Sequence, residues 1–149
     1  MIGNHVYPQG YRGFESRPLR TMSKNPSTQG FALWREAMRW QRTIDAALRP
    51  LGLTHTRFLV LDTTALLEQE MNDAVSQREI AQRCELDEST VSNLARRLTE
   101  DGLLDRGPNG VDARAWRVIV SPSGHRVLRR ARAAVDTVSS RFFKPHRSA

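Results

Sequence analysis

The sequence predicts a mainly α fold with one small β-hairpin, an α+β chain in which helices carry most of the structure. Three observations predict it. Apolar residues repeat at helical spacing in several stretches, capping residues stand where these stretches begin, and a Gly-Pro-Asn-Gly turn at residues 107–110 separates two β-prone segments. The 149 residues, 39% of them hydrophobic, suit one compact domain at residues 30–149.

The first 29 residues are expected to form a disordered leader, because Gly and Pro recur there without apolar periodicity. Two interpretations stay open. The segment is an ordinary flexible tail, or the start is mis-annotated and the true start lies near Met22, since residues 13–17 can be back-translated into a sequence resembling the T-arm of a transfer RNA gene.

Two helices joined by a short turn are predicted next. Over residues 31–48 apolar side chains fall on one helical face and arginines fall roughly opposite. Pro50 and Gly52 end this helix, and Thr54 can cap the following one, which carries a second apolar stripe.

The centre of the chain predicts a helix-turn-helix. Ser76 and Glu79 form an S-x-x-E capping box that opens a short helix ending near Arg83. Asp87 can cap a second helix that ends before Gly102, a residue suited to the left-handed position after a helix. One face of this second helix is apolar and the other is short, polar and basic.

A hairpin and a long helix complete the domain. Residues 103–106 and 115–120 are the predicted strands, and Ser121 with Pro122 begins a helix that runs to about residue 143. Its apolar residues are spaced alternately by three and four and need a helical partner; they are Leu128, Ala131, Val135, Val138 and Phe142.

This order and its local sequence resemble the MarR family (multiple antibiotic resistance regulators) of winged helix-turn-helix proteins. LRPLGLTHTRFLVL (48–61) resembles the turn between the family's first two helices, SQREIAQRCELDESTVSNLARRLTEDGLLDR (76–106) its reading head, and DARAWRVIVSPSG (112–124) its wing. The resemblance covers about residues 30–140.

The resemblance implies N- and C-terminal dimerisation helices at about 30–49 and 122–143, and a homodimer. Two features depart from the family pattern. Trp116 and Arg117 occupy wing positions that usually hold a polar and an aliphatic residue, and the chain stops near where the family has a sixth helix. A smaller, more readily dissociating dimer is therefore expected.

Charge points to a polyanionic partner. The formal net charge is +7, but residues 1–60 carry +6, residues 61–105 carry −7 and residues 106–149 carry +8. A basic block on an otherwise mixed domain favours a polyanionic partner such as nucleic acid, and the charge alone leaves the partner open.

The outer face of the second reading-head helix can approach base edges in a major groove, and a long cation on the wing can enter a minor groove. Asp112 and Arg114 lie two residues apart, so their side chains leave one strand face together; an exposed ion pair is the alternative for them. Arg106 contacts a phosphate or is solvated. The predicted DNA-binding residues are Ser89, Thr90, Ser92, Asn93, Arg96, Arg97, Arg106, Asp112 and Arg114.

The resemblance also implies a cleft for a small aromatic or phenolic effector. Core packing would explain the aromatic candidates equally well, and a solvated turn would explain the polar ones. The candidates are Trp34, Trp40, His55, Arg57 and Phe58.

Several functional classes are not indicated. The chain lacks a nucleophile–base–orienter set, nucleotide-binding glycine motifs and metal-ligand spacing, so no enzyme activity, cofactor or metal is expected. Cys84, the lone cysteine, is interpreted as a small packed thiol and not as a redox sensor. No apolar run is long enough for a signal peptide or membrane span, which predicts a cytoplasmic protein.

The sequence therefore predicts a homodimeric DNA-binding transcriptional regulator, a repressor acting at a pseudo-palindromic operator in double-stranded DNA and relieved by an aromatic ligand. A winged helix used as a protein-binding adaptor, without sequence-specific DNA binding, is the alternative.

Overall fold

The computed structural model describes residues 26–107 and 116–143. It contains five α-helices within these ranges, a 3-10 turn at Arg49–Leu51, and a small antiparallel sheet. The helices are α1 Pro26–Leu48, α2 His55–Met71, α3 Gln77–Cys84, α4 Glu88–Glu100 and α5 Pro122–Phe142, and the strands are β1 Val75–Ser76, β2 Leu104–Arg106 and β3 Arg117–Val120.

The mainly helical fold with a small sheet is confirmed, and so are the predicted starts of α2, α3, α4 and α5. Thr54 caps α2, Ser76 and Glu79 form the complete capping box of α3, Asp87 caps α4 and Ser121 caps α5. Each cap accepts a backbone N–H of the first turn that has no partner inside the helix.

The first helix begins earlier than predicted. Residues 26–29, which the sequence assigned to the leader, form its first turn. The presence of Pro26 argued against a helix there, but a proline is tolerated in a first turn because its missing N–H has no intrahelical acceptor. Residues 1–25 lie outside the described part of the chain.

The sheet has three strands where the sequence predicted two. Strand β3 lies in the middle, with Val75 of β1 opposite Val118 and Leu104 of β2 opposite Val120. The hairpin strands are also shorter than predicted, starting at Leu104 and Arg117.

The structure divides into two units. The described part of the first is residues 26–39, where Phe31 and Trp34 stack with ring centroids 6.0 Å apart and Arg39 pairs with Glu36 at 3.1 Å. Leu33 and Trp34 are 54% and 57% exposed.

The second unit, whose described residues are 40–107 and 116–143, holds the main hydrophobic core. Helix α2 contributes Phe58, Val60 and Leu61, and all three are buried. The seam of α5 enters this core through Leu128 and Ala131, and Val135 and Val138 pack against it while partly buried. No helix in the described ranges has the length and apolarity needed to cross a membrane.

Candidate nucleic-acid interface

The turn between α3 and α4 is short because two local devices end one helix and start the next. Glu85 adopts a left-handed conformation with φ of 53°, and Leu86 N–H donates to the carbonyl of Ala81 at 3.0 Å. Asp87 then caps α4 two residues later. The second helix is thereby set off from the first in the manner of a helix-turn-helix.

Helix α4 is held by its apolar face. Val91, Ala95 and Leu98 are fully buried in the core. The opposite face carries the six residues that the sequence predicted to contact DNA, and four of them, Ser89, Asn93, Arg96 and Arg97, are exposed while Thr90 and Ser92 are half-buried.

Two of the exposed side chains are already paired. Arg96 Nη2 donates to Asn93 Oδ1 at 3.3 Å, and Arg96 Nη1 lies 4.0 Å from Glu100 Oε1. Asn93 and Arg96 are one helical turn apart, so both side chains project from the same strip of the helix. Such a strip can present an amide and a guanidinium together to neighbouring base edges.

The start of α4 is organised around the Asp87 carboxylate. It accepts hydrogen bonds from the Ser89 hydroxyl, from Thr90 Oγ1 at 2.6 Å and from the Thr90 backbone N–H at 2.8 Å. The Ser89 hydroxyl, followed by the two Thr90 donors, holds the pKa of Asp87 well below its usual range. Two predicted DNA-binding residues are therefore engaged with their own helix cap.

At the base of the wing, the residues that begin and end the hairpin contact each other. The guanidinium of Arg106 lies over the ring of Trp116, 4.9 Å from its centroid, and Gly107 N–H donates to Arg117 carbonyl at 2.9 Å. Arg106 thus has a cation–π partner in the residue just before strand β3. Asp112 and Arg114 lie outside the described residues.

Arg117, one of the two wing residues that depart from the family pattern, has a clear role in the sheet. Its Nη1 donates to the carbonyl of Ala74 at 2.6 Å and lies 3.5 Å from Asp73 Oδ2. An aliphatic residue could make neither contact. The arginine fastens β3 to the segment that leads into β1, a strand that sequence reasoning missed.

Three of the five predicted effector residues have surroundings that differ from one another. Phe58 is a core residue, and Arg57 forms an ion pair with Asp101 while donating to the Gly52 carbonyl at 2.9 Å. Trp34 is exposed in the first unit.

Trp40 and His55 do meet. Their ring centroids are 4.7 Å apart in an edge-to-face arrangement, and Phe143 lies 6.1 Å from Trp40. Trp40 Nε1 donates to Ser139 Oγ at 3.4 Å, and Asp45 Oδ1 accepts from the backbone N–H of His55 at 2.6 Å. Burial lowers the pKa of His55, and the nearby Asp45 charge opposes that shift only in part.

Sequence reasoning missed Asp45, Ser139 and Phe143 as neighbours of Trp40 and His55. No local signal could have found Ser139, which is 99 residues from Trp40 in the chain. Asp45 is ten residues from His55 across the turn, and its capping of α2 could have been anticipated from an acidic residue placed opposite a helix start.

A separate surface groove of about 600 Å³ lies between α2 and α5. Its lining includes Glu68, His125 and Arg132, and none of the five predicted effector residues. Its principal charges are already used, because Glu68 accepts from Val120 N–H at 3.0 Å and Arg132 donates to Asp62 at 2.6 Å.

Cys84 occupies the end of α3, half-buried against α2. Its thiol lies 3.1 Å from Thr63 Oγ1 and 3.8 Å from the Leu59 carbonyl. Among the residues that the structure describes, no three His, Cys, Asp or Glu side chains are grouped to hold a metal ion.

Comparison with known proteins gives consistent matches. The sequence profile of the MarR family matches residues 51–115. The helix-turn-helix transcriptional regulator YdcH of Bacillus subtilis is 28% identical over 119 residues, which are 79% of this chain and 80% of YdcH.

Two solved structures have a similar fold. A MarR-family transcriptional regulator from Rhodococcus sp. RHA1 superposes with a TM-score of 0.70 at 29% identity, covering 83% of this chain and 85% of that protein. CouR from Rhodococcus jostii RHA1, solved with p-coumaroyl-CoA bound, superposes with a TM-score of 0.67 at 29% identity, covering 86% and 82%.

Proposed function

Because this chain belongs to the MarR family of transcriptional regulators, which are non-enzymatic DNA-binding proteins, we propose that it is a homodimeric repressor that binds a pseudo-palindromic operator. Helix α4 lies in the major groove, and the wing places Arg114 in the adjacent minor groove. A small aromatic or phenolic compound releases the protein from DNA.

The outward face of α4 is the observation that carries this proposal. Short polar side chains let a helix approach base edges, and exposed guanidinium groups reach guanine or phosphate. The buried face of the same helix is locked in the core, so the outward face is presented as a rigid surface.

We divide the DNA-facing side chains into those that contact base edges and those that contact backbone phosphates. Asn93 and Arg96 share one strip of α4 and are assigned to base edges, adenine for an amide and guanine for a guanidinium. Arg97 and Arg106 are assigned to backbone phosphates, which position the protein without reading sequence.

The aromatic cluster of Trp40, His55 and Phe143 supports the effector part of the proposal. A planar ligand can stack on such rings, and the similar protein CouR was solved with p-coumaroyl-CoA, a thioester with an aromatic phenol group. We assign the effector contact to Trp40 and His55, and a structural role to Arg57 and Phe58.

The dimer part is supported by large apolar side chains exposed in each unit. Trp34 in the first unit is 57% exposed and Phe143 in the second is 64% exposed. Trp34 stacks on Phe31 and Phe143 contacts Phe142, and neighbouring exposed apolar side chains of this kind are typical of protein interaction sites. A two-fold dimer places its reading heads on half-sites about one helical turn, roughly 10 bp, apart.

The test is binding to the intergenic DNA beside the gene, measured by footprinting and by affinity over a salt series. A symmetric footprint, with an affinity that falls steeply with salt and depends on sequence, is expected. Asn93→Ala should relax base preference at one position per half-site, and Arg114→Ala should weaken all sites by about 1–3 kcal/mol.

Arg129→Ala is the matched control, because it removes one exposed positive charge from α5, away from α4. It should leave base preference unchanged. Binding that ignores both sequence and salt would contradict the proposal and favour the adaptor alternative.

A further inference from the structure

The Asp87 carboxylate fixes the direction of two hydroxyl groups on the proposed DNA-reading face. An ionised carboxylate has no proton to give, so every hydrogen bond it makes is accepted. The hydrogen atoms of Ser89 Oγ and Thr90 Oγ1 must therefore both point toward Asp87. The carboxylate stays ionised at any pH near neutrality, because the same donors lower its pKa.

A hydroxyl whose hydrogen is committed can only accept from a further partner. Each hydroxyl oxygen has one hydrogen and two lone pairs, and the lone pairs are what Ser89 and Thr90 still offer. Ser89 is the exposed member of the two, while Thr90 is half-buried. Ser89 is therefore the side chain of the two whose oxygen can accept a hydrogen bond from a bound molecule.

The major groove offers few donors to such an acceptor. The exocyclic amino groups, N6 of adenine and N4 of cytosine, are donors, whereas N7 of purines, O6 of guanine and O4 of thymine are acceptors. Phosphate oxygens are acceptors as well. An acceptor-only Ser89 can pair with adenine or cytosine and is mismatched with the other groups.

The charge of Asp87 acts in the same direction. A negative side chain at the start of α4 offsets the positive end of the helix dipole, which would otherwise attract a phosphate. Both effects direct the first turn of α4 away from the DNA backbone and toward an amino group on a base edge.

Resting on the proposed operator binding, we propose that Ser89 reads the exocyclic amino group of one adenine or cytosine in each half-site, with Asp87 as the positioning residue that holds its hydroxyl as an acceptor. Asp87 itself touches no base. Because the Ser89 hydroxyl accepts this hydrogen bond, the base that it selects is one that carries an amino group in the major groove.

The first experiment locates the position that Ser89 reads. Operators are selected from a randomised pool with the wild-type protein and with Ser89→Ala, and the position whose preference is lost is identified. A preference for one orientation of one base pair is expected there. Because every base pair carries adenine or cytosine on one strand, the analogues below decide whether its amino group is the group that is read. An unchanged preference at every position would overturn the proposal. So would a lost preference at a base pair whose amino group proves unimportant when the analogues below remove it.

The second experiment removes single groups from that base pair. Purine in place of adenine, or 2-pyrimidinone in place of cytosine, lacks the amino group and should weaken wild-type binding by about 3- to 10-fold, the value of one neutral hydrogen bond. The affinity of Ser89→Ala should fall less than about 2-fold on the same analogue, because this variant has no hydroxyl to lose a hydrogen bond. The comparison between the two proteins cancels the effect of the analogue on the duplex itself.

A 7-deaza purine in the same base pair removes an acceptor and keeps the amino group. Wild-type affinity should then stay unchanged, because Ser89 has no hydrogen to donate to N7. Weaker wild-type binding that disappears in Ser89→Ala would show that the hydroxyl donates, which overturns the proposal.

Asp87→Asn tests the positioning role. Asparagine caps helices about as well as aspartate, so the fold should be retained. Its amide can both accept and donate, so the Ser89 hydroxyl is free to turn, and the selectivity between amino and acceptor bases at that one position should fall. If Asp87→Asn responded to each base analogue as wild type does, the role of Asp87 would be overturned. Thr137→Val, which removes an exposed hydroxyl on α5, is the matched control and should behave as wild type.

The outcomes separate the two proposals. Sequence-specific binding by wild type with the wrong analogue profile overturns only the role of Ser89 and Asp87. Absence of sequence-specific binding by wild type overturns the proposed function, and this inference with it.

Discussion

Gly124, in the first turn of α5, lies so close to the carbonyl oxygen of Leu103 that a Cβ atom on Gly124 would be 2.0 Å from it. The same oxygen accepts the backbone N–H of Ser121 at 3.1 Å, and Ser121 Oγ donates to the Gly102 carbonyl at 2.6 Å. The connection from α4 to β2 therefore packs directly against the first turn of α5, and only glycine fits at position 124.

Gly124→Ala should destabilise the protein by about 1–3 kcal/mol or more, because a backbone oxygen cannot turn aside as a flexible side chain would. Chemical denaturation measures the change in the free energy of unfolding. Gly30→Ala is the control, since a Cβ on Gly30 meets nothing within 4 Å. In mid-helix it should stabilise by about 0.5–1 kcal/mol, and equal losses in both variants would show that the contact is unimportant.

Glu79 should make the reading head sensitive to acid. Burial alone would raise its pKa, but the backbone and hydroxyl hydrogen bonds of Ser76, together with the Arg117 charge, outweigh burial and lower the pKa below its ordinary 4.5. The stability that Glu79 contributes is therefore complete above pH 4.5 and is lost as the pH falls through the lowered folded-state pKa.

The free energies of unfolding of wild type and Glu79→Gln, compared between pH 6 and pH 3, should converge on acidification. Glutamine keeps a side-chain acceptor and removes the charge, so it isolates the titration from the capping bond. A constant difference across this range would mean that Glu79 acts through packing.

Arg57 is expected to stabilise the fold and not to bind the effector. It ties the turn at Gly52 to Asp101 at the end of α4, and only 18% of its side chain is exposed. Arg57→Ala should cost about 1 kcal/mol, the upper range for a partly exposed ion pair. Arg83→Ala is the matched control, because both partners of the Arg83–Glu70 pair are about half exposed, and it should cost less.

Thermal denaturation and effector titration together decide the role of Arg57. Lower stability with an unchanged effector response is the expected result. Unchanged stability with a weakened response would return Arg57 to the effector site that the sequence suggested.

The features predicted best are those whose cause is local in the chain. The caps at Thr54, Ser76, Asp87 and Ser121 each accept from a backbone N–H three residues away, so a four-residue pattern contains all the information needed. The apolar face of α4 was likewise predictable, because a helix places residues three and four apart on one side.

The features that were missed depend on distant partners. Strand β1 has only two residues and forms because Val75 meets Val118 far along the chain. Neither partner signals the pairing locally, and a two-residue segment has no period to detect. The same reason explains why the ion pair between Arg57 and Asp101 was not predicted, since the two residues are 44 apart in the chain.

His55 should make the second unit less stable below neutral pH. Its ring is buried edge-on against Trp40, and burial lowers its pKa from 6.5 despite the opposing Asp45 charge. The unfolded chain therefore binds more protons than the folded one as the pH falls below that value. The stabilising contribution is complete above pH 6.5 and is lost as the pH falls through the folded-state pKa.

The measurement is the free energy of unfolding between pH 8 and pH 5 for wild type, His55→Gln and His125→Gln. Wild type should lose stability across this range, and His55→Gln should flatten the dependence because glutamine does not titrate. His125, which is exposed on α5, is the matched control. Its replacement should leave the pH dependence of the free energy of unfolding as it is in wild type. An unchanged slope in His55→Gln would show that the ring is accommodated in its charged form, and that Asp45, whose carboxylate already binds the backbone of His55, outweighs burial.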